Sequence, residues 1–474
     1  MRDHADLPIA VDRESELPLN VQVRDQLHEA LLRGAVRAGE RLPSSRVLAR
    51  KLGVSRIVVT EAYQQLTAEG WLRGEHGSGT FVADASDLPN HPPVKSGPGA
   101  VTGASAMPVH PPEPPQEGVV DLRSGKPWVF GYDEAAWRRA WRAVGTLSLA
   151  DDSTPFGLMH LRMLLVDHLR RSRAVPARVE NIMITRGTGH GLDVLAATLV
   201  RSGDRVGIEE PGYRVARNIM ASRGATITPI PVDDHGVLIS ELPDDLTVLY
   251  TTPAHQFPLG GRLPSDRRLQ LIEWAARTGT VIVEDDYDAE FRYDVAPLNT
   301  LYGHAPEHVV LVGTLSKSLS PDVGLGWLIA PSELLQAVSR RREELGDRTA
   351  GPVQHAVATL LESGDLDRHL HRMRLEYARR RAVIVDLLGD RVSGDAAGLH
   401  VMLKLPADIA PLIVAEAQAR GVLVETTERH HHGEPRVHGL VLGYGSASAA
   451  EVRRGCAILA EVLRGTRALN SWRE

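Results

Sequence analysis

The sequence holds a single cysteine, Cys456, among 474 residues. No internal disulfide can form, and so little thiol fits a reducing, cytoplasmic setting. Runs of 18 or more uncharged apolar residues are also missing, which excludes an ordinary membrane-spanning helix and gives no reason to expect a membrane partner. The opening residues MRDHADLPIA contain acidic groups and no apolar core, so no secretory signal is expected. Nor is there a general basic excess. The formal net charge is −6, which excludes a protein that is basic throughout but leaves room for a local basic face.

What is present is ordinary soluble composition, 43% hydrophobic and 24% charged, in a chain too long for one core. The composition shifts at residues 85–117, which carry 9 of the 30 prolines and almost no large apolar side chains. Such a segment has little to bury and reads as a linker. The expected organisation is therefore a small unit over 1–84, a Pro-rich linker over 85–117 and a large unit over 118–474. No internal repeat is apparent.

In the small unit, PLNVQVRDQLHEALLRG has helical spacing, with Val21, Val23, Leu27, Leu31 and Leu32 available for a core face and Gly34 as a stop. LPSSRVLARKLG predicts a second helix, capped by Ser44 or Ser45, with Val47, Leu48 and Leu52 as its apolar set and Gly53 ending it. A third helix runs from a Ser55 cap towards Gly70, and WLRGEHGSGTFVA predicts a glycine-tipped hairpin. Helix, tight turn, helix and hairpin outline a winged helix-turn-helix. Its second turn helix would enter the DNA major groove with Ser55, Arg56, Ile57 and Thr60 leading. From Arg33 to Val82 there are eight basic and four acidic residues, a balance of 8 − 4 = +4, opposite in sign to the whole chain. The run from Leu42 to Ala83 closely resembles the DNA-binding module of GntR-type regulators. That resemblance implies that Arg46 and Arg56 contact DNA, helped by Ser44, Ser55 and Thr60, with His76 and Gly77 at the wing tip.

Beyond the linker, β-rich runs (NIMIT, DRVGIE, LTVLYTT, TVIVEDD, HVVLVG) alternate with helical patterns, which predicts an α/β unit around a mostly parallel sheet. From about residue 330 a smaller α+β lobe is expected. Several segments carry chemistry. VGTLSKSLSP sets Lys317 among the hydroxyls of Thr314, Ser316 and Ser318. TVIVEDDYDAEFRY ends a strand in Glu284, Asp285 and Asp286, followed by Tyr287, at the edge where α/β sheets bind ligands. ITRGTGHGLDVLAATL is strand, glycine turn and helix, offering Thr188, Gly189 and His190 as an anion cradle. Tyr213 follows another strand as a ring to stack on, and His255 or Gln256 offers a further hydrogen bond. A lysine for an imine, a carboxylate for a ring nitrogen, donors for a phosphate and a stacking ring are the parts that pyridoxal 5'-phosphate (PLP) requires.

In this order, EEPGY, TPAHQFPLG, EDDYDAEFRY and TLSKSLSP resemble fold-type I aminotransferases, in the form fused to GntR heads in the MocR/GabR regulators. The resemblance implies Lys317 as the imine lysine, Asp285 at the ring nitrogen, Tyr287 at the ring oxygen and Tyr213 stacking. It also implies a head-to-tail homodimer on an operator in double-stranded DNA, responding to PLP or to an amino-acid-like compound. Two departures stand out. Where the family carries a phosphate-binding arginine seven residues after the lysine, this chain has Gly324, and for an effector carboxylate the strand HGLVLGYG offers only Arg436 just before it. A genuine aminotransferase, and a regulator whose large unit has lost PLP and only dimerises, stay open as alternatives. The trio His430, His431 and His432 reads as a solvated or effector-side loop, not a metal site.

Overall fold

A computed structural model describes residues 9–33, 35–75, 79–83, 118–148, 154–288, 290–294 and 299–469. The chain divides into two compact units, residues 1–112 and 113–474. The proline-rich stretch 85–117, the expected stop Gly34 and the wing-tip residues His76 and Gly77 lie outside the described residues. Among the described residues no helix is long and apolar enough to cross a membrane.

The first unit is three helices and a hairpin: α1 (Leu19–Leu32), α2 (Ser45–Leu52), α3 (Arg56–Ala68), β1 (Leu72–Glu75) and β2 (Gly79–Val82), the two strands antiparallel. Its core is Val23, Leu27, Leu48, Val59 and Leu66, each almost fully buried. Ser44 caps α2 by accepting from the Val47 N–H, and Gly53 ends that helix at φ +65°, a conformation that favours glycine. Two residues expected in the core are not there. Leu32 and Val47 are 50% and 44% exposed. Each sits at a helix edge, where a spacing match cannot say which side of the apolar stripe is covered.

The second unit carries an eight-stranded mixed sheet. Its strands follow β3 (Val120–Asp121), which lies elsewhere, and run β4 (Ile182–Thr185), β5 (Arg205–Glu210), β6 (Thr226–Asp233), β7 (Gly236–Val237), β8 (Val248–Thr251), β9 (Val281–Asp285), β10 (Val309–Thr314) and β11 (Gly326–Ile329). The spatial order is β4-β11-β10-β9-β8-β5-β6-β7. The inner pairs β10·β9, β9·β8, β8·β5 and β5·β6 are parallel, whereas β11 runs antiparallel to both β10 and β4, and β7 antiparallel to β6. All five β-rich runs picked from the sequence are strands. Those such as Val309–Thr314, buried along their whole length, show the continuous apolar run of a strand covered on both faces. Helices cover both sides, among them α4 (Glu134–Gly145), α5 (Met159–Arg173) and α6 (Thr188–Leu199).

The smaller lobe holds a four-stranded antiparallel sheet ordered β12-β13-β16-β15, from β12 (Val392–Ser393), β13 (His400–Lys404), β15 (Glu425–Thr426) and β16 (Gly439–Gly443). It is not built from the C-terminal part alone. β3 pairs in parallel with β14 (Val422–Leu423), and Val120 and Leu122 are buried in the same core as Val422. That pairing spans some 300 residues, beyond the reach of any local pattern.

Candidate functional site

At the C-terminal edge of the parallel strands a cavity of about 340 Å³ opens between the large sheet and the smaller lobe. Thr188, Gly189, His190, Tyr213, Asp285, Tyr287, Thr314, Ser316 and Lys317 all line it. Nine residues from four separate segments thus meet at one site.

The structure distinguishes the three carboxylates that close β9. Glu284 turns inward and accepts the N–H groups of Leu301 and Tyr302, both at 3.0 Å. Asp286 forms a buried ion pair with Arg173 at 2.9 Å. Asp285 alone lines the cavity. Its Oδ2 accepts the Tyr250 hydroxyl at 2.6 Å, while its Oδ1 is buried without a partner. Burial, reinforced by Asp286 and Asp288, pushes this carboxyl up to about 7, although the Tyr250 bond and Lys317 act the other way. A buried acceptor with nothing to accept from is an open place for a donor, and a protonated ring nitrogen supplies one.

Lys317 projects from the loop after β10 and donates to the Gly125 carbonyl. Burial lowers its pKa, with Asp288 and Asp285 opposing the shift. A lysine that sheds its proton more readily is better able to attack an aldehyde. Thr314 and Ser316 share a hydroxyl–hydroxyl bond of 3.0 Å. The space above Gly187, at the start of α6, lies 3.8 Å from both of these oxygens. Two hydroxyls therefore stand beside the start of α6, where the leading helix N–H groups have no side-chain cap, an arrangement that suits an anion. Tyr213 stacks at 6.4 Å on Tyr250, and burial holds its hydroxyl up at about 12. This donor and acceptor set fits PLP.

Other expected residues fall differently. The His190 ring is occupied by Asp347 at 2.8 Å and by the Arg186 N–H at 3.0 Å, so its imidazole is not free for an anion. Neither His255 nor Gln256 lines the cavity. His255 Nδ1 lies 2.9 Å from Asp288 and 3.2 Å from the Tyr287 hydroxyl, behind the wall. Gln256 is buried among Glu209 and the carbonyls of Pro211 and Phe257. Arg436 is exposed on its loop and is not part of the cavity wall. His432 is exposed, whereas His430 and His431 are buried, and His430 packs edge-on at 4.9 Å to Phe257, a residue of the cavity wall. The sequence reading missed Tyr250, Phe257, Asp288, His400 and Arg186, all of which line the cavity. Tyr250 was recoverable from its place at the end of LTVLYTT, but His400 comes from the smaller lobe and had no local signal.

In the first unit, Arg46 and Arg56 are both exposed, and the Arg56 Nε donates to Ser45 at 3.2 Å. The Ser55 hydroxyl makes no cap bond, and Thr60 donates to the Arg56 carbonyl at 2.8 Å. Ile57, at the head of α3, is an apolar side chain 68% exposed. A groove of mixed lining, with Leu42, Tyr63 and Ala68 beside Arg41, Thr60 and Gln64, runs between α3 and the hairpin.

Two family models match the chain. One, described as "Bacterial regulatory proteins, gntR family", covers residues 19–82, and the other, "Aminotransferase class I and II", covers 120–428. The chain is 36% identical to the HTH-type pyridoxine biosynthesis transcriptional regulator PdxR of Corynebacterium glutamicum, over 97% of this chain and 98% of that protein. It is 30% identical to the probable rhizopine catabolism regulatory protein MocR of Rhizobium meliloti, over 94% of each. Among solved structures, an archaeal alanine:glyoxylate aminotransferase superposes with a TM-score of 0.69 at 25% identity, covering 73% of this chain and 91% of that one.

Proposed function

The chain belongs to the MocR/GabR type of HTH regulators, a GntR head on an aminotransferase-like domain, and from that premise we propose that it reads PLP held on Lys317. It is a DNA-binding transcription regulator. The observation that carries the PLP reading is the buried, unpartnered Asp285 Oδ1, which shares one cavity with Lys317 and the Thr314–Ser316 hydroxyl pair.

In this reading Lys317 makes the covalent attachment, Asp285 holds the ring nitrogen protonated and Tyr287 bonds the ring oxygen. Tyr213 stacks on the ring, and Thr188, Gly189, Thr314 and Ser316 receive the phosphate. When bound, PLP supplies an electrophilic carbon that exchanges between amines. Tyr250 fixes Asp285 through Oδ2 and so leaves Oδ1 facing the ring. Among the described residues that line the cavity, only Arg186 and Lys317 are lysine or arginine. With Lys317 engaged covalently, Arg186 is the one remaining cation of that lining for both a phosphate and the carboxylate of an amino acid. This supports PLP itself as the signal over an amino-acid-like effector or multiple-turnover transamination. The relative named for pyridoxine biosynthesis regulation points the same way.

The proposal includes a cytoplasmic homodimer in head-to-tail arrangement, and the domain division at 84 and 117. Signal transfer requires that PLP bind two arrangements of the protein unequally, so that DNA affinity and PLP affinity shift together. The test is titration of purified protein with PLP, followed by absorbance. A band that saturates in the wild type and is missing in Lys317→Ala supports the reading. A titration with no such band refutes it.

A further inference from the structure

A phosphate dianion buried beside a helix N-terminus and two hydroxyls still calls for a cation. At Gly324 there is none, and a Cβ built there meets nothing within 4 Å. Resting on the PLP reading above, we propose that Arg186 supplies the phosphate-binding cation in this chain.

Arg186 lies on the turn between β4 and α6, two residues before Thr188, and lines the cavity together with Thr188, Gly189, Thr314 and Ser316. Its side chain is about half exposed, at 52%. It is held from behind. Nη1 donates to Asp347 Oδ1 at 2.6 Å and to the Arg348 carbonyl at 3.3 Å. Asp347 is itself fixed by the buried Arg342, at 2.8 Å, and by His190, at 2.8 Å. The Arg186 backbone N–H bonds His190 Nδ1, which locks the turn. Both side-chain bonds use Nη1, so the other edge of the guanidinium fork remains for an anion. Arginine suits this task because its planar fork can grip two phosphate oxygens at once. Asp347, anchored by two other partners, acts as a backstop that positions the arginine without neutralising it alone.

The test compares PLP with pyridoxal, which has the aldehyde but no phosphate, by absorbance titration of full-length protein. Arg186→Gln is expected to weaken PLP about ten-fold or more while leaving pyridoxal unchanged, the loss typical of one charge-assisted contact. Arg186→Lys keeps the charge but not the fork, and should lose PLP affinity by a smaller factor. Adding Gly324→Arg to Arg186→Gln should restore part of the loss; the backbone there, at φ +56°, disfavours a side chain and limits the rescue. If Arg186→Gln misfolds by circular dichroism, the lysine variant decides alone. Equal effects on both ligands, or none on PLP, overturn the role of Arg186 while the PLP reading stands. If wild-type protein shows no Lys317-dependent band with either ligand, the PLP reading fails and this one with it.

Discussion

Replacing Asp285 by Asn should stabilise the PLP-free protein and weaken its hold on PLP at the same time. Burial pushes the folded carboxyl up to about 7 from an ordinary 3.8. At roughly 1.4 kcal/mol per unit, keeping it ionised at pH 8 costs at most about 4 kcal/mol. The sign follows from the raised value. Between pH 4 and 7 the folded state holds a proton that the unfolded state has lost, so stability falls as pH rises through that window. Asparagine keeps an acceptor for the Tyr250 hydroxyl, puts a neutral amide at the unpartnered edge and removes the ionisation cost. Half the ceiling, about 2 kcal/mol, is a fair expectation after relaxation, which corresponds to roughly 2–3 °C in Tm for a unit of this size. The assay is thermal unfolding of PLP-free wild type and Asp285→Asn at pH 8 and pH 5. The gain should be clear at pH 8 and fall to less than half by pH 5, where the folded wild type is protonated. A variant less stable than wild type at pH 8, or a gain independent of pH, would refute the claim that Asp285 is a strained, waiting acceptor.

Other outcomes are expected from the head and its contacts. Arg46→Ala and Arg56→Ala should each reduce DNA affinity about ten-fold, measured by fluorescence anisotropy; a residue that touches only phosphate should also flatten the salt dependence by about one ion. Leu66→Ala, in the core of the head, should cost about 2–5 kcal/mol of that unit's stability and impair DNA binding, while PLP titration stays as in wild type. Equal loss of both functions in Leu66→Ala would contradict the description of two compact units.

Much of this was legible because the informative signals were local. The Ser44 cap, the Gly53 stop and the buried strands each follow from a few neighbouring residues. So does the placing of Lys317 and Asp285 at strand ends. What escaped was decided by distance. The pairing of β3 with β14, and the approach of His400 to Phe257 at 5.2 Å, join segments separated by more than a hundred residues. The three acidic residues at the end of β9 looked alike in sequence. Only their partners (the N–H groups after Thr300, Arg173 and the Tyr250 hydroxyl) separate the two structural carboxylates from the one that faces the cavity. Arg186 was overlooked for a similar reason. In ITRGTGHG the glycines and threonine draw attention, whereas the role of an arginine depends on an aspartate 161 residues away.

A DNA-binding regulator that reads PLP through Lys317 must bind DNA differently with and without PLP. The most direct test measures affinity for one duplex, selected from random sequence by the wild-type protein, with and without saturating PLP, for wild type and for Lys317→Ala. PLP is expected to change wild-type affinity several-fold, whereas Lys317→Ala should bind the duplex without responding. Identical wild-type affinities in the two conditions, or a response that persists in Lys317→Ala, would contradict it.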